Sequence, residues 1–323
     1  MSYCGLVAGE HGVMNEIIPV TICTMATERS DYALTGVVLV VVLLVTTLTT
    51  NAVESRSVQI YGVSSVAWCA LIALGIQWLA WIPASLLQTE RFYDLLGGVT
   101  YLALVVFSLW AGSQNHGVST REVVISLLVV VWTIRLSGFL FLRIHNSGKD
   151  GRFDHLKTSA IRFLVPWTLQ AMWVFLTMIV VIVINSQAVD SAPMNIFDAI
   201  GVSLWVAGFA IEVIADAQKS RFKTEPDNRG KWIDEGLWSL SRHPNYLGEI
   251  VLWTGIAVMG TGSLEGTELA AWISPVFVYL LLTKVSGVPI LDKRGNEKWG
   301  DDPEYQKYVD NTPMLVPRLR FNR

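Results

Sequence analysis

A bilayer core takes about 20 apolar residues for each helical crossing, and this chain offers eight stretches near that length: about 33–50, 63–87, 95–112, 122–143, 161–185, 197–215, 246–261 and 270–290. Such stretches cannot form the surface of a water-soluble domain. Of 323 residues, 52% are hydrophobic and 16% charged, where an ordinary soluble domain is roughly a quarter charged, and the mean hydropathy is +0.45. The pattern predicts an all-α, polytopic membrane helical bundle of about seven to eight transmembrane helices, with the first three boundaries and the stretch 246–261 drawn least sharply. Residues 31–323 read as one integral membrane domain, preceded by a mixed-polarity segment, 1–30, compatible with disorder.

Lysine and arginine are unevenly distributed, and that sets an orientation. Arg143, Lys149, Arg152, Lys157 and Arg162 mark the loop after the fourth stretch; Lys219, Arg221, Lys223, Arg229, Lys231 and Arg242 mark the loop after the sixth. The tail from Lys284 is also basic, whereas loops 186–196 and 262–269 hold no Lys or Arg. The positive-inside rule then puts both basic loops and the C-terminus in the cytosol, and with eight crossings the N-terminus joins them. The expected location is the endoplasmic reticulum membrane in a eukaryote and the inner membrane in a bacterium. A net charge of −3 gives no pointer to nucleic acid, and none is expected as a partner. Cys4, Cys23 and Cys69 lack the spacing of a disulfide framework or thiolate metal site. The first thirty residues lack a basic segment followed directly by an apolar core, so no cleaved signal peptide is expected.

Ionisable residues inside membrane helices are expensive and point to function. Arg135 lies within the fourth apolar run and requires a carboxylate, a phosphate or a water-filled cavity. Arg143, eight residues on, either shares that role or snorkels to the cytosolic surface. Glu212, Asp216 and Lys219 fall on one helical face, as an intrahelical charge ladder or as part of an anion site completed by Arg221 and Lys223. In "LSRHPNYLGEIVLWTG", Pro244 suits a first helical turn, so Asn245 and Glu249 project from one face, four residues apart. That face suits a ligand with amide and hydroxyl groups and a nearby phosphate, or else Glu249 pairs with Arg242 or Arg135. His243 has no second His or Cys at metal spacing, so no metal is expected. In the tail, Asp302 and Pro303 begin a short helix whose Tyr305 and Tyr308 either pack on the membrane surface or stack on a flat ring.

The block "GLWSLSRHPNYLGEIVLWTG" resembles one shared by the steroid 5-alpha-reductases and the sterol carbon-14 reductases, with Pro244, Asn245, Tyr246, Gly248 and Glu249 in matching places. The stretches "RLSGFLFLR…GKDGRF" and "SGVPILDKRGNEKWGDDPEYQKY" resemble the uncharacterised membrane branch of that superfamily, and the likeness runs from about residue 95 to the end. The resemblance implies a helical bundle with a cofactor pocket open to the cytosol, NADPH as cofactor, and reduction of a carbon–carbon double bond conjugated to a carbonyl in a lipophilic, steroid-like or other lipid substrate. It carries cofactor contacts onto Asn245, Glu249, Asp216 and Lys219, and more weakly onto Arg242, Tyr246 and Tyr305. Clustered cations on the basic side, with Arg135, Arg143 and Arg221 among them, match the phosphates of such a cofactor.

One position departs from the family pattern. Where the 5-alpha-reductases have a carbonyl-polarising Tyr three residues before the Arg, this chain has Trp132, and Gln77 is the polar candidate in the second span, which lacks the partner Glu. An indole donates a hydrogen bond but does not transfer a proton at useful cost. The catalytic donor therefore stays unassigned, with Tyr246 and Tyr101 as candidates. A different chemistry competes: isoprenylcysteine and phospholipid methyltransferases share an Arg-His-Pro-x-Tyr helix start and bind S-adenosylmethionine, a sulfonium without phosphates.

Overall fold

The computed structural model describes residues 13–147, 150–189 and 192–317. The expectation for residues 1–30 falls partly outside them, as does Lys149 of the first basic loop. The described residues are all-α apart from a short hairpin of two-residue strands, β1 (Gln59–Ile60) with β2 (Val63–Ser64). The α-helices among the described residues are, in chain order, α1 (Val13–Val53), which precedes the hairpin, α2 (Ser65–Leu86), α3 (Tyr93–Gly112), α4 (Thr120–Ser147), α5 (Ala160–Asn185), α6 (Ile196–Thr224), α7 (Pro244–Thr261), α8 (Ile273–Leu280), α9 (Val288–Trp299) and α10 (Pro303–Asn311).

Seven helical segments among the described residues are long and apolar enough to cross a membrane: those of α1 to α6 and the run Gly266–Trp299 that contains α8 and α9. The protein is thus an integral, multi-pass membrane bundle. The expected stretch 246–261 is present as α7, yet it falls outside those seven. Pro244, Asn245, Tyr246 and Glu249 crowd polar groups into its first turns. With α7 counted, the chain crosses back and forth so that Asp31 and the C-terminal helices lie at the same end. At that end, Arg162 pairs with Asp31 at 2.8 Å, Lys157 with Glu90 at 2.9 Å and Arg242 with Asp292 at 3.1 Å. The opposite end is closed by the ion pairs of two other arginines. Arg56 reaches Glu268 at 2.5 Å, and Arg121 forks onto Asp198 at 2.7 and 2.8 Å while also donating to the Ala192 and Pro193 carbonyls.

α5 is the mast of the bundle. Its sequence is apolar on every side, and 83% of its apolar window is buried against 22–50% in the other six; a helix hydrophobic all round belongs in the interior. α1, α2 and α3 pack around it, and their outer faces expose Val40, Leu79 and Val106 as lipid-facing surface.

α6 and α7 are brought together by glycine. Gly201 and Gly208 on α6, and Gly248 and Gly255 on α7, each stand seven residues apart, two helical turns, and oppose one another antiparallel. A Cβ on Gly208 would lie 2.6 Å from the Gly248 carbonyl oxygen, and one on Gly255 would lie 2.6 Å from that of Gly201. Small residues let membrane helices approach backbone to backbone, and this approach sets the polar first turns of α7 against Glu212 and Asp216 of α6. Gly98 plays a similar part in α3, where a Cβ would lie 2.8 Å from the Ser137 Cβ of α4.

Candidate functional site

Arg135 finds carboxylates. Its Nη1 donates to Glu212 Oε1 at 2.5 Å and its Nη2 to Asp216 Oδ2 at 2.6 Å, so one guanidinium from α4 clamps two acids one turn apart on α6. The second Glu212 oxygen accepts from the Trp132 indole at 3.1 Å, and the second Asp216 oxygen accepts from Asn245 Nδ2 of α7 at 3.3 Å. Three helices therefore converge on one hydrogen-bonded group. Glu212 and Asp216 act across helices, so the intrahelical ladder is not their main arrangement.

Glu249 joins this group from α7 and is buried, 8% exposed. Among the described residues its carboxyl makes no hydrogen bond or ion pair: Arg242 is taken by Asp292, and Arg135 by Glu212 and Asp216. Two carboxylates thus hold the single guanidinium, and the third, Glu249, lies within reach of their charges without a contact of its own. In a low-dielectric interior an unmatched acid is costly, and a hydrogen-bond donor such as a carboxamide or sugar hydroxyl, or a cation, relieves that cost.

Cations gather just beyond. Lys219 sits over the Trp238 ring with Nζ 4.2 Å from its centroid, and Lys219, Lys223 and Arg143 are close enough to feel one another's charge. Arg152 stands on the connecting loop and donates to Asp150 at 2.8 Å. Burial works against ionisation of Asp150, and the Arg152 hydrogen bonds more than offset it, so this carboxyl sits below its ordinary value.

The other expected residues are engaged elsewhere. Arg221 is exposed and pairs loosely with Glu225 at 3.5 Å, a kind of contact worth little. Arg242 and His243 share Asp292 of α9 at 3.1 and 3.3 Å. Burial pushes the His243 pKa down, and Asp292 opposes the shift. Tyr246 is half-buried and stacks on His243 with centroids 5.5 Å apart. Tyr305 is buried in a cluster with Trp232 at 5.2 Å and Trp299 at 5.7 Å, so its ring is already covered by indoles of this chain. Asp302 caps α10 as its sequence suggests, accepting from the Glu304 amide. Tyr101 lies in the core of the bundle against Trp132 and Trp253.

Two features of the site are absent from the sequence reading. The paired glycines carry a visible signal, the same seven-residue interval in both helices. Trp253, one turn after Glu249, carries none, because an indole in an apolar run looks like core.

The model of the family described as "Protein of unknown function (DUF1295)" matches residues 80–312. The chain belongs to that family. The match takes in every site residue described above. An uncharacterized protein, C594.04c, of Schizosaccharomyces pombe is 23% identical in a 266-residue alignment that covers 72% of each chain. A protein named Probable O-methyltransferase ustE, of Ustilaginoidea virens, is 31% identical over 86 residues, 27% of this chain and 30% of its own length.

Proposed function

We propose that this protein is an NADPH-dependent membrane reductase acting on a carbon–carbon double bond conjugated to a carbonyl in a lipophilic substrate. The observation that carries the reading is Glu249: a buried, unpaired carboxyl one turn from Asn245, with the Arg143, Lys219 and Lys223 cations on the adjoining face. The two halves suit the two ends of a dinucleotide. Acceptors meet carboxamide and ribose donors, and cations meet phosphates. When bound, the reduced nicotinamide supplies a hydride.

Each residue then has a task. Asn245 and Glu249 hold the carboxamide end, Asp216 accepts a sugar hydroxyl while Arg135 fixes its orientation, and Arg143, Lys219 and Lys223 neutralise phosphate. Arg135 commits both terminal nitrogens to acids, so its part is to organise carboxylates and not to meet phosphate directly. The resemblance to the steroid 5-alpha-reductase superfamily supports the same placement of Asn245 and Glu249. Trp132 argues for a substrate handled differently from the way that superfamily handles a steroid enone.

A methyltransferase is the second reading. It draws on the short likeness to a probable O-methyltransferase and on the excess of carboxylate around Arg135, which also suits a sulfonium cation. The test is Glu249→Ala in purified full-length protein. NADPH binding, read by quenching of tryptophan fluorescence, should be lost while the variant still inserts and elutes as a single species; unchanged binding would return Glu249 to a structural part.

A further inference from the structure

Tyr101 carries a phenol that the bundle buries without a well-formed hydrogen bond. It lies on α3, 7% exposed, and its hydroxyl has no hydrogen-bond partner among the described residues. The Thr177 hydroxyl lies alongside, and neither closes a hydrogen bond to the other. Buried polar atoms in native structures are rarely left this way, and a hydroxyl in a membrane interior has no bulk water to fall back on. A phenylalanine would fill the space without that cost.

The surroundings place this phenol at the site. Its ring meets Trp132 edge-on at 5.2 Å and Trp253 in a stacked contact at 6.1 Å, and those two indoles meet edge-on at 5.1 Å. Trp132 is the residue whose indole nitrogen is spent on Glu212. Trp253 follows Glu249 by one turn on α7, and its own indole nitrogen is buried and unpartnered. Tyr101 is also within electrostatic reach of Glu249. Two unsatisfied donors, from α3 and α7, thus stand beside the carboxylate group, and neither is the α4 position that the family pattern uses.

We propose that Tyr101 donates the hydrogen bond and the proton to the carbonyl oxygen of the substrate, supported by the Trp253 indole, with Trp132 as the wall that orients both. The proposal rests on the reductase reading. As the hydride adds to the β carbon, the double-bond electron pair shifts toward the carbonyl and its oxygen takes the phenolic proton. When the resulting enol returns to the ketone, its α carbon takes a proton from water and its oxygen gives its proton back to the Tyr101 phenolate. One hydride and one solvent proton are consumed per double bond, and the tyrosine is restored.

The experiment uses Tyr101→Phe in the full-length protein in detergent, with a 2-cyclohexenone bearing a dodecyl chain and a 13C-labelled carbonyl. In the wild type, the infrared carbonyl band should move to lower frequency on binding; in Y101F that shift should be lost. Turnover at saturating NADPH should fall about 100-fold or more, while thermal stabilisation by NADPH is unchanged. Failure of NADPH to stabilise even the wild type overturns the reductase reading and this proposal with it. NADPH binding in both proteins, with the band shift and turnover surviving in Y101F, overturns Tyr101 alone. Should Y101F not fold, tyrosine labelled at Cζ and incorporated only at position 101 gives the same decision: its resonance should move when the enone is added, and an unmoved resonance rejects the contact.

Discussion

Removing the Arg135 guanidinium leaves Glu212 and Asp216 in a low-dielectric interior without their counterion. Arg135→Ala should therefore cost about 3–5 kcal/mol, the range for stripping one partner from a buried ion pair, read as thermal denaturation in detergent. Arg135→Lys keeps the charge but not the fork that reaches two carboxylates, so its loss should be intermediate; a variant with alanine as stable as the wild type would show that the acids are neutral or hydrated. This much was partly legible in the sequence, because an arginine in an apolar run demands a partner. The choice of partner was not. Carboxylate, phosphate and water satisfy the same demand, and only the register of α4 against α6 decides among them. Glu249 shows the converse: the sequence offered Arg242 and Arg135 as partners, and both are taken by other acids.

At the scale of elements, the apolar runs were readable because length and hydropathy are what a membrane selects for. α7 was the least distinct for a physical reason, since its polar first turns lower its hydropathy while the α6 contact supplies its stability. That contact depends on Gly248, where a Cβ would lie 2.6 Å from the Gly208 carbonyl oxygen and 2.7 Å from the Glu212 amide nitrogen. Backbone cannot move aside as a flexible side chain does. Gly248→Val should destabilise by about 1–3 kcal/mol and weaken cofactor binding, although no polar group is changed, because Asn245 and Glu249 move away from Asp216. Gly75→Val is the control: nothing lies within 4 Å of a Cβ there, and its effect should stay within about 0.5 kcal/mol. Equal effects at both positions would remove the close approach as the cause.

For the whole molecule, ion pairs close both ends of the bundle, and the positive-inside rule predicts that the end carrying the basic loops faces the cytosol. In a background without native cysteines, Lys231→Cys should react with an impermeant maleimide only after the membrane is opened, and Thr267→Cys should react from outside in intact cells or, for an internal membrane, from the lumen. The reverse labelling would put the candidate site on the wrong face for a cytosolic cofactor. Under the proposed function, the carboxylate group around Arg135 and the cations beside it take a phosphate-bearing dinucleotide. Thermal unfolding of the purified full-length protein with NADPH or with S-adenosylmethionine, each at about 100 times its dissociation constant or at its solubility limit, tests it most directly. Binding at that level contributes about 2.7 kcal/mol. A clear rise in midpoint with NADPH and none with S-adenosylmethionine is the predicted result; a rise with S-adenosylmethionine alone would contradict the account.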